Sequence, residues 1–248
     1  MSDLLQEGCL KVRLPRPESD RVLEAVIINT SGGLTGGDVL SVEIEIGEGA
    51  RACATTPGCE RIYRSAGGEA VIEQHLRVGR SARLDWVPQE TILFDGSRLK
   101  RRTEVQLDRG AELTLAEAIL FGRAAMGETV KSGFFSDAWA IRRAGRLVFT
   151  DVIRICDAFQ ATMASPTALR SHVAMASLAH VGPDLEAKRD ALRSSFTKLD
   201  CATAGASLVN GVLVARMVAC TGMALRSALN QALVPLRGAR PLPRSWLC

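Results

Sequence analysis

Hydrophobic and polar residues alternate strictly over residues 39–46. Leu40, Val42, Ile44 and Ile46 fall on one side, and Ser41, Glu43 and Glu45 on the other. A period of two is the signature of a strand with one face buried. The alternation returns over 70–78 and again over 103–107. Each stretch is followed by a tight turn and a second strand: "GEGA" then "RACATT", "GRSA" then "RLDW", "DRGA" then "ELTL". The turn alanines, Ala50, Ala82 and Ala111, are 32 and 29 residues apart. A degenerate repeat of this length predicts stacked β-coils. A further strand pair is predicted over 137–155, around the turn "RRAGR". Residues 1–165 therefore read as an elongated β-helix-like stack of strands with almost no helix.

The pattern changes after Pro166. "HVAMASLAHV" reads as a strand, and "GPDLEAKRDALRSSF" as a helix over 184–196 entered through Pro183 and Asp184. "ASLVNGVLVARMVAC" reads as a hairpin around Asn210-Gly211, a strong hairpin signal. "GMALRSALNQALVPL" reads as a second helix over 222–234, stopped by Pro235. Residues 166–248 thus predict a small β-α-β-β-α unit continuous with the body, ending in an extended, docked tail, "RGARPLPRSWLC". The fold class is mainly β with two C-terminal helices.

Composition narrows the function. With 47% apolar residues the 248-residue chain can fill a large core, and with 4% aromatics that core is aliphatic. The formal charge is +4, and 26 of the 31 basic residues are arginine. Arginine favours bidentate contacts to carboxylates and protein partners. No stretch interleaves basic and aromatic residues, so nucleic acid is not an expected partner. No apolar run is long enough to span a bilayer, and the charged N-terminal residues do not resemble a signal peptide. Seven scattered cysteines, without a CxxC pair, suit reduced thiols in the cytoplasm.

The glycine-rich loop "NTSGGLTGGD", residues 29–38, invites a phosphate-binding reading. It lacks GxxxxGK[ST] and feeds a strand rather than a helix N-terminus, so that reading fails. A compact turn approached closely by another backbone, or a partner contact, remains. The three histidines, His75, His172 and His180, form no zinc-type spacing. No serine or cysteine nucleophile motif occurs, and Cys53 and Cys59 read as a chance pair of buried thiols rather than a site. No catalytic residue is assigned.

Two carboxylates stand out. On "ELTLAEAILF", Glu117 shares its parity with Leu113, Leu115 and Ile119. On "RLVFTDVIRI", Asp151 shares its parity with Leu147, Phe149, Ile153 and Ile155. Both acids are expected to point to the apolar side, where an uncompensated charge costs several kcal/mol. Either each pairs with an inward arginine, or each faces a wet internal passage, where oxygen donors suit a hard or borderline divalent cation.

"INTSGGLTGGD", "CERIYRSAGGEA", "LDWVPQETILFDGSRL", "FGRAAMGE" and "LPRSW" occur in order along the chain. Together they resemble the urease accessory protein family UreD, also called UreH, from about Gln6 to Trp246. The resemblance implies a non-catalytic maturation factor that binds urease apoprotein on one side and the accessory proteins UreF and UreG, the latter a GTPase, on the other. It implies a β-stranded stack with an internal passage that conducts nickel transiently, without a stably bound cofactor. It places acids matching Asp38, Glu117 and Asp151 near that passage. Two other readings compete: a passive structural protein that only joins partners, and a carbohydrate-active β-solenoid enzyme using paired acids across a groove.

Overall fold

The three repeated turns are superposable in their bonding. In each, the alanine N–H donates to the residue three before it: Ala50 to Gly47 O, Ala82 to Gly79 O and Ala111 to Asp108 O, at 3.1 Å each. The residue before each alanine holds a positive φ: Gly49 at 67°, Ser81 at 54° and Gly110 at 74°. Successive turns are bonded to one another, Gly49 N–H to Arg80 O and Ser81 N–H to Arg109 O. The turns therefore stack, and the strands entering and leaving them stack into two separate sheets.

The computed structural model describes residues 3–16, 22–238 and 240–246. Entering strands β3 (Val39–Ile46), β6 (Ala70–Val78) and β9 (Arg98–Leu107) pair in parallel. The hairpin β11 (Phe134–Arg143) and β12 (Arg146–Cys156) extends them into a five-stranded sheet, ordered β12-β11-β9-β6-β3. Leaving strands β4 (Arg51–Thr55), β7 (Arg83–Trp86) and β10 (Glu112–Phe121) pair in parallel in the other sheet. That ten-stranded sheet starts with β1 (Leu10–Arg13) and β2 (Leu23–Asn29). It continues beyond β10 through β13 (Ala174–Val181), β15 (Val212–Ala219) and β14 (Ala202–Val209), while the short β5 (Glu60–Ile62) and β8 (Thr91–Leu93) pair beside β10. The strands after Pro166 are thus the direct continuation of the wider sheet.

Helices α2 (Leu185–Phe196) and α3 (Gly222–Leu236) cover the outer face of the wider sheet, where Ala116, Ala118 and Leu178 meet Leu192, Leu225 and Leu229. The Thr221 hydroxyl accepts from the Ala224 N–H and caps α3. Asp184 instead adopts φ 56° and its side chain does not cap α2. Pro235 lies inside the last turn of α3, which ends two residues later than the sequence suggests. A third helix, α1 (Phe159–Ala164), is additional to the two expected. It is too short to give a periodic signal, and it is anchored by the fully buried Phe159, which packs edge-on against Phe121.

The C-terminal tail is docked, as its composition suggests. Trp246 is buried and its Nε1 donates to Val87 O at 3.0 Å, while Gln89 donates to Ser245 O at 2.6 Å. Leu247 and Cys248 lie outside the described residues. The loop 29–38 is a site of close backbone approach. Leu34 N–H donates to Arg61 O and Tyr63 N–H to Leu34 O, both at 2.7 Å, so the loop stacks directly on the next coil. A Cβ at Gly36 would lie 2.1 Å from Ser65 Oγ and 2.2 Å from Gly67 O. We expect Gly36→Ala to separate these coils and lower stability by about 2 kcal/mol or more, within the range for steric overpacking. Thermal unfolding checks it, and an unchanged Tm would show that the stack is looser than its geometry.

Candidate functional site

The faces that the two sheets turn toward each other carry apolar residues except at one level. On β6 the inward series is Ala70, Ile72, Gln74, Leu76 and Val78, all buried. On β9 it is Leu99, Arg101, Thr103, Val105 and Leu107. On β11 it is Phe135, Asp137, Trp139 and Ile141, and on β10 it is Leu113, Leu115, Glu117, Ile119 and Phe121. The polar residues are register neighbours: Gln74 lies beside Thr103, Thr103 beside Trp139, Arg101 beside Asp137, and Glu117 beside Ser177. Ser177 lies beside Arg216, and Trp139 beside Asp151. A polar belt therefore crosses the sandwich and separates two apolar clusters, one around Leu84, Leu113 and Ile141 and one around Leu93, Leu99 and Phe135.

Arg101 is the centre of the belt. Its Nε and Nη2 donate to the two Asp137 oxygens at 3.1 and 2.7 Å, within its own sheet. Its Nη1 donates across the sandwich to Glu117 Oε2 at 2.6 Å. Glu117 Oε1 accepts from Trp86 Nε1 at 2.9 Å, and Thr103 donates to Gln74 at 2.6 Å. All three charged residues are at most 5% exposed. Burial pushes the Glu117 carboxyl above its ordinary range. Arg101 opposes that shift, and the Asp137 charge reinforces it. Burial would also weaken the Arg101 proton affinity, but the carboxylates of Asp137 and Glu117 outweigh it and hold the guanidinium charged. One cation thus faces two carboxyl groups, and full ionisation leaves a surplus negative charge in the interior.

The belt reaches the surface at the β12 edge. A cleft of about 280 Å³ is lined there by Trp139, Asp151, Ser177 and Arg216. Asp151 pairs with Arg216. Its side chain is 23% exposed, so it faces inward at the rim rather than in the core. Ser177 Oγ and Trp139 Nε1 are buried without a hydrogen-bond partner among the described residues. Buried polar groups of this kind are ordinarily satisfied by ordered water.

The structure thus brings Glu117 and Asp151 onto one belt and leaves Asp38 away from it. Asp38 is exposed at the start of β3, the opposite edge of the five-stranded sheet from β12, and accepts from the Thr35 N–H at 2.8 Å within its own turn. The sequence reading missed Arg101, Asp137 and Ser177, although each shares its parity with apolar neighbours exactly as Glu117 does. Among the described residues no three His, Cys, Asp or Glu side chains are grouped to hold a metal ion. The histidines do not converge. His75 is half-buried, 3.6 Å from Glu104, and His172 donates to Leu169 O. His180 is buried, its pKa pushed down to about 3 by burial and then by Lys188 and Arg83. It is therefore neutral, with Nε2 accepting from Lys188 at 3.1 Å and Nδ1 donating to Thr114. Cys53 and Cys59 are free thiols with different neighbours, Arg237 and Glu90. Burial raises their pKa values to about 12 and about 11.

The belt makes a stability prediction. Glu117 binds its proton more tightly folded than unfolded, so between the ordinary value of 4.5 and the raised folded value the native state holds more protons. Stability contributed by this group is therefore present at low pH and is lost as pH rises through that window. Glu117→Gln should gain stability relative to the wild type as pH rises from 4.5, measured by urea unfolding at each pH. Arg101→Met leaves two buried carboxyls without their cation and should cost about 3–5 kcal/mol at neutral pH.

Comparison with known proteins fits the chain as a whole. The family described as "UreD urease accessory protein" matches residues 1–247. A urease accessory protein UreD of Rhizobium leguminosarum bv. trifolii (strain WSM2304) is 45% identical over 246 residues, covering 99% of this chain and 89% of that protein. A UreD of Methylobacterium sp. (strain 4-46) is 46% identical over 250 residues, covering 99% and 88%. A UreD of Sinorhizobium medicae (strain WSM419) is 43% identical over 248 residues, covering 99% and 89%. With a match of this extent along both partners of each comparison, the chain belongs to the UreD urease accessory protein family.

Proposed function

We propose that this protein serves urease maturation as a scaffold between urease apoprotein and the accessory proteins UreF and UreG, and that its polar belt is a transient path for nickel. The role in urease maturation follows from the family. The observation that carries the finer reading is the charge count of the belt: two buried carboxyls to one guanidinium, continued by Ser177 to an acid at a surface cleft. A surplus negative charge between apolar walls is neutralised by a proton or by a cation. Nickel is cargo here rather than a resident cofactor. Acids already held by arginine bind a cation weakly, and weak binding at successive sites lets an ion leave as readily as it enters. The reading is non-catalytic and cytoplasmic; no described helix is long and apolar enough to cross a membrane.

A passive scaffold is the second reading, and one observation favours it. Both inward acids named from sequence are ion-paired, Glu117 with Arg101 and Asp151 with Arg216, which suffices for a structural role. The two readings part in one experiment. Glu117→Ala leaves Arg101 and Asp137 balanced one to one, so the fold and the partner complex should survive. Asp151→Ala acts at the rim. Under the conduit reading each variant still co-purifies with its partners, while the urease recovered from the same cells carries severalfold less nickel. Full nickel loading with both alanines present sinks the conduit and leaves the scaffold.

A further inference from the structure

Gly205 lies in the middle of β14, in extended backbone that any residue adopts. A Cβ placed on it meets no heavy atom within 4 Å. Nothing in the chain itself therefore calls for glycine here, although glycine inside a strand weakens it by about 0.5–1 kcal/mol relative to alanine. A strand glycine of this kind marks a place where another backbone or a ligand comes close.

The surroundings supply such a place. The five-stranded sheet ends at β12, and its Asp151 reaches Arg216 on β15. The wider sheet runs one strand further, to β14, whose inward residues Thr203, Gly205 and Ser207 are exposed and small. The overhang leaves a cleft of about 650 Å³, walled by β12, by the segment after α1 and by β14–β15. Ile153, Ile155, Leu169 and Met175 form its apolar lining. Three arginines also line it, Arg154, Arg170 and Arg216, and no Asp or Glu does. Arg216 is paired to Asp151, Arg154 lies over the Phe134 ring, and Arg170 makes no ion pair among the described residues. Among the described residues β11 is the one strand paired with β12, so its outer backbone edge is open along the cleft beyond Val148, whose O accepts from Asn210.

We propose that this cleft receives an extended acidic segment of a partner protein, which adds to β12 as a sixth strand of the narrower sheet. Main-chain bonds to a free edge supply affinity in this mode of recognition, and side-chain pockets on alternate residues supply specificity. The added backbone passes over Gly205, its inward side chains meet the apolar lining, and its carboxylates meet Arg154 and Arg170. A second copy of this chain is the poorer occupant. β12 carries Arg146, Arg154 and one acid, Asp151, so a second β12 would bring a further net positive charge to a cleft already lined by arginines. The inference is independent of nickel passage, because its readout is peptide binding.

The test uses the full chain and two capped ten-residue peptides, one alternating valine with glutamate and one alternating valine with lysine. The glutamate peptide should bind and slow amide exchange across residues 146–156, and the lysine peptide should do neither. Gly205→Leu, which the open space around the Cβ accommodates without unfolding, should weaken binding about tenfold or more, equivalent to about 1.4 kcal/mol. Arg170→Glu should weaken it comparably, and added salt should weaken the wild-type interaction. Circular dichroism confirms that both variants are folded. Equal binding of the lysine peptide, unchanged exchange in β12, or full affinity in Gly205→Leu overturns the proposal. Self-association of the wild type that is lost in Gly205→Leu also overturns it, by assigning the cleft to a second copy.

Discussion

One guanidinium ties the two sheets together. Arg101 rises from the narrower sheet, grips its neighbour Asp137 with a two-pronged bond, and reaches across to Glu117 in the wider sheet. The consequences are strict. β9 and β11 are held side by side by the fork, and β10 is held opposite them at one register. A slip of one residue in any of these strands would turn its polar member outward and bury its solvent face. The network therefore specifies how the coils stack more than it stabilises them. A buried ion-pair cluster is often no more stable than well-packed apolar residues of the same volume. Its presence in an otherwise aliphatic interior asks for a reason beyond cohesion.

The geometry around Arg101 supplies the frame for such a reason. The polar level divides the inter-sheet space into two apolar clusters that seal it above and below. It is confined laterally by strands and opens where the narrower sheet runs out at β12. The unequal width of the sheets thus does two things with one edge. It places the end of the polar belt, Ser177 and Trp139, in the wall of the cleft beside Asp151, and it leaves a ledge of small residues on β14 uncovered. Helices α2 and α3 seal the opposite face of the wider sheet, and the docked tail around Trp246 closes its flank against Thr55 and Val87.

Much of this was legible in sequence, and the reasons for the rest are physical. Alternation located the strands, the turn alanines located the coils, and Asn210-Gly211 located the hairpin, because each is a local signal. Parity placed Glu117 and Asp151 on the inward side, and both are there. The same parity holds for Arg101 against Leu99 and Val105, and for Asp137 against Phe135 and Trp139. What parity cannot supply is the partner of each charge. β9 and β10 are consecutive in the chain yet lie in different sheets, so the meeting of Arg101 and Glu117 depends on how the coils stack. Asp38 shows the limit from the other side. It came with the family resemblance rather than from periodicity, and in the fold it serves its own turn at the far edge. Helix α1 escaped because six residues hold less than two turns, too few to display a period.

The pairing of every inward acid with an arginine does not by itself argue against ion passage. A carboxylate without a cationic neighbour in an apolar interior takes up a proton, and a protonated acid is a poor ligand for a divalent ion. Arg101 opposes, without cancelling, the upward shift that burial imposes on Glu117. The surplus of one carboxyl over the cation keeps the level attractive to a further positive charge. At the rim Asp151 and Arg216 are matched one to one and partly in water, where such a pair is worth little and exchanges readily. The ratio of carboxyls to guanidinium thus changes inward, from one to one at the cleft to two to one at the core. Under the proposed path, a cation entering at the cleft would pass from a matched pair to a level where one carboxyl is left over only while both are ionised, so its hold there competes with a proton on Glu117.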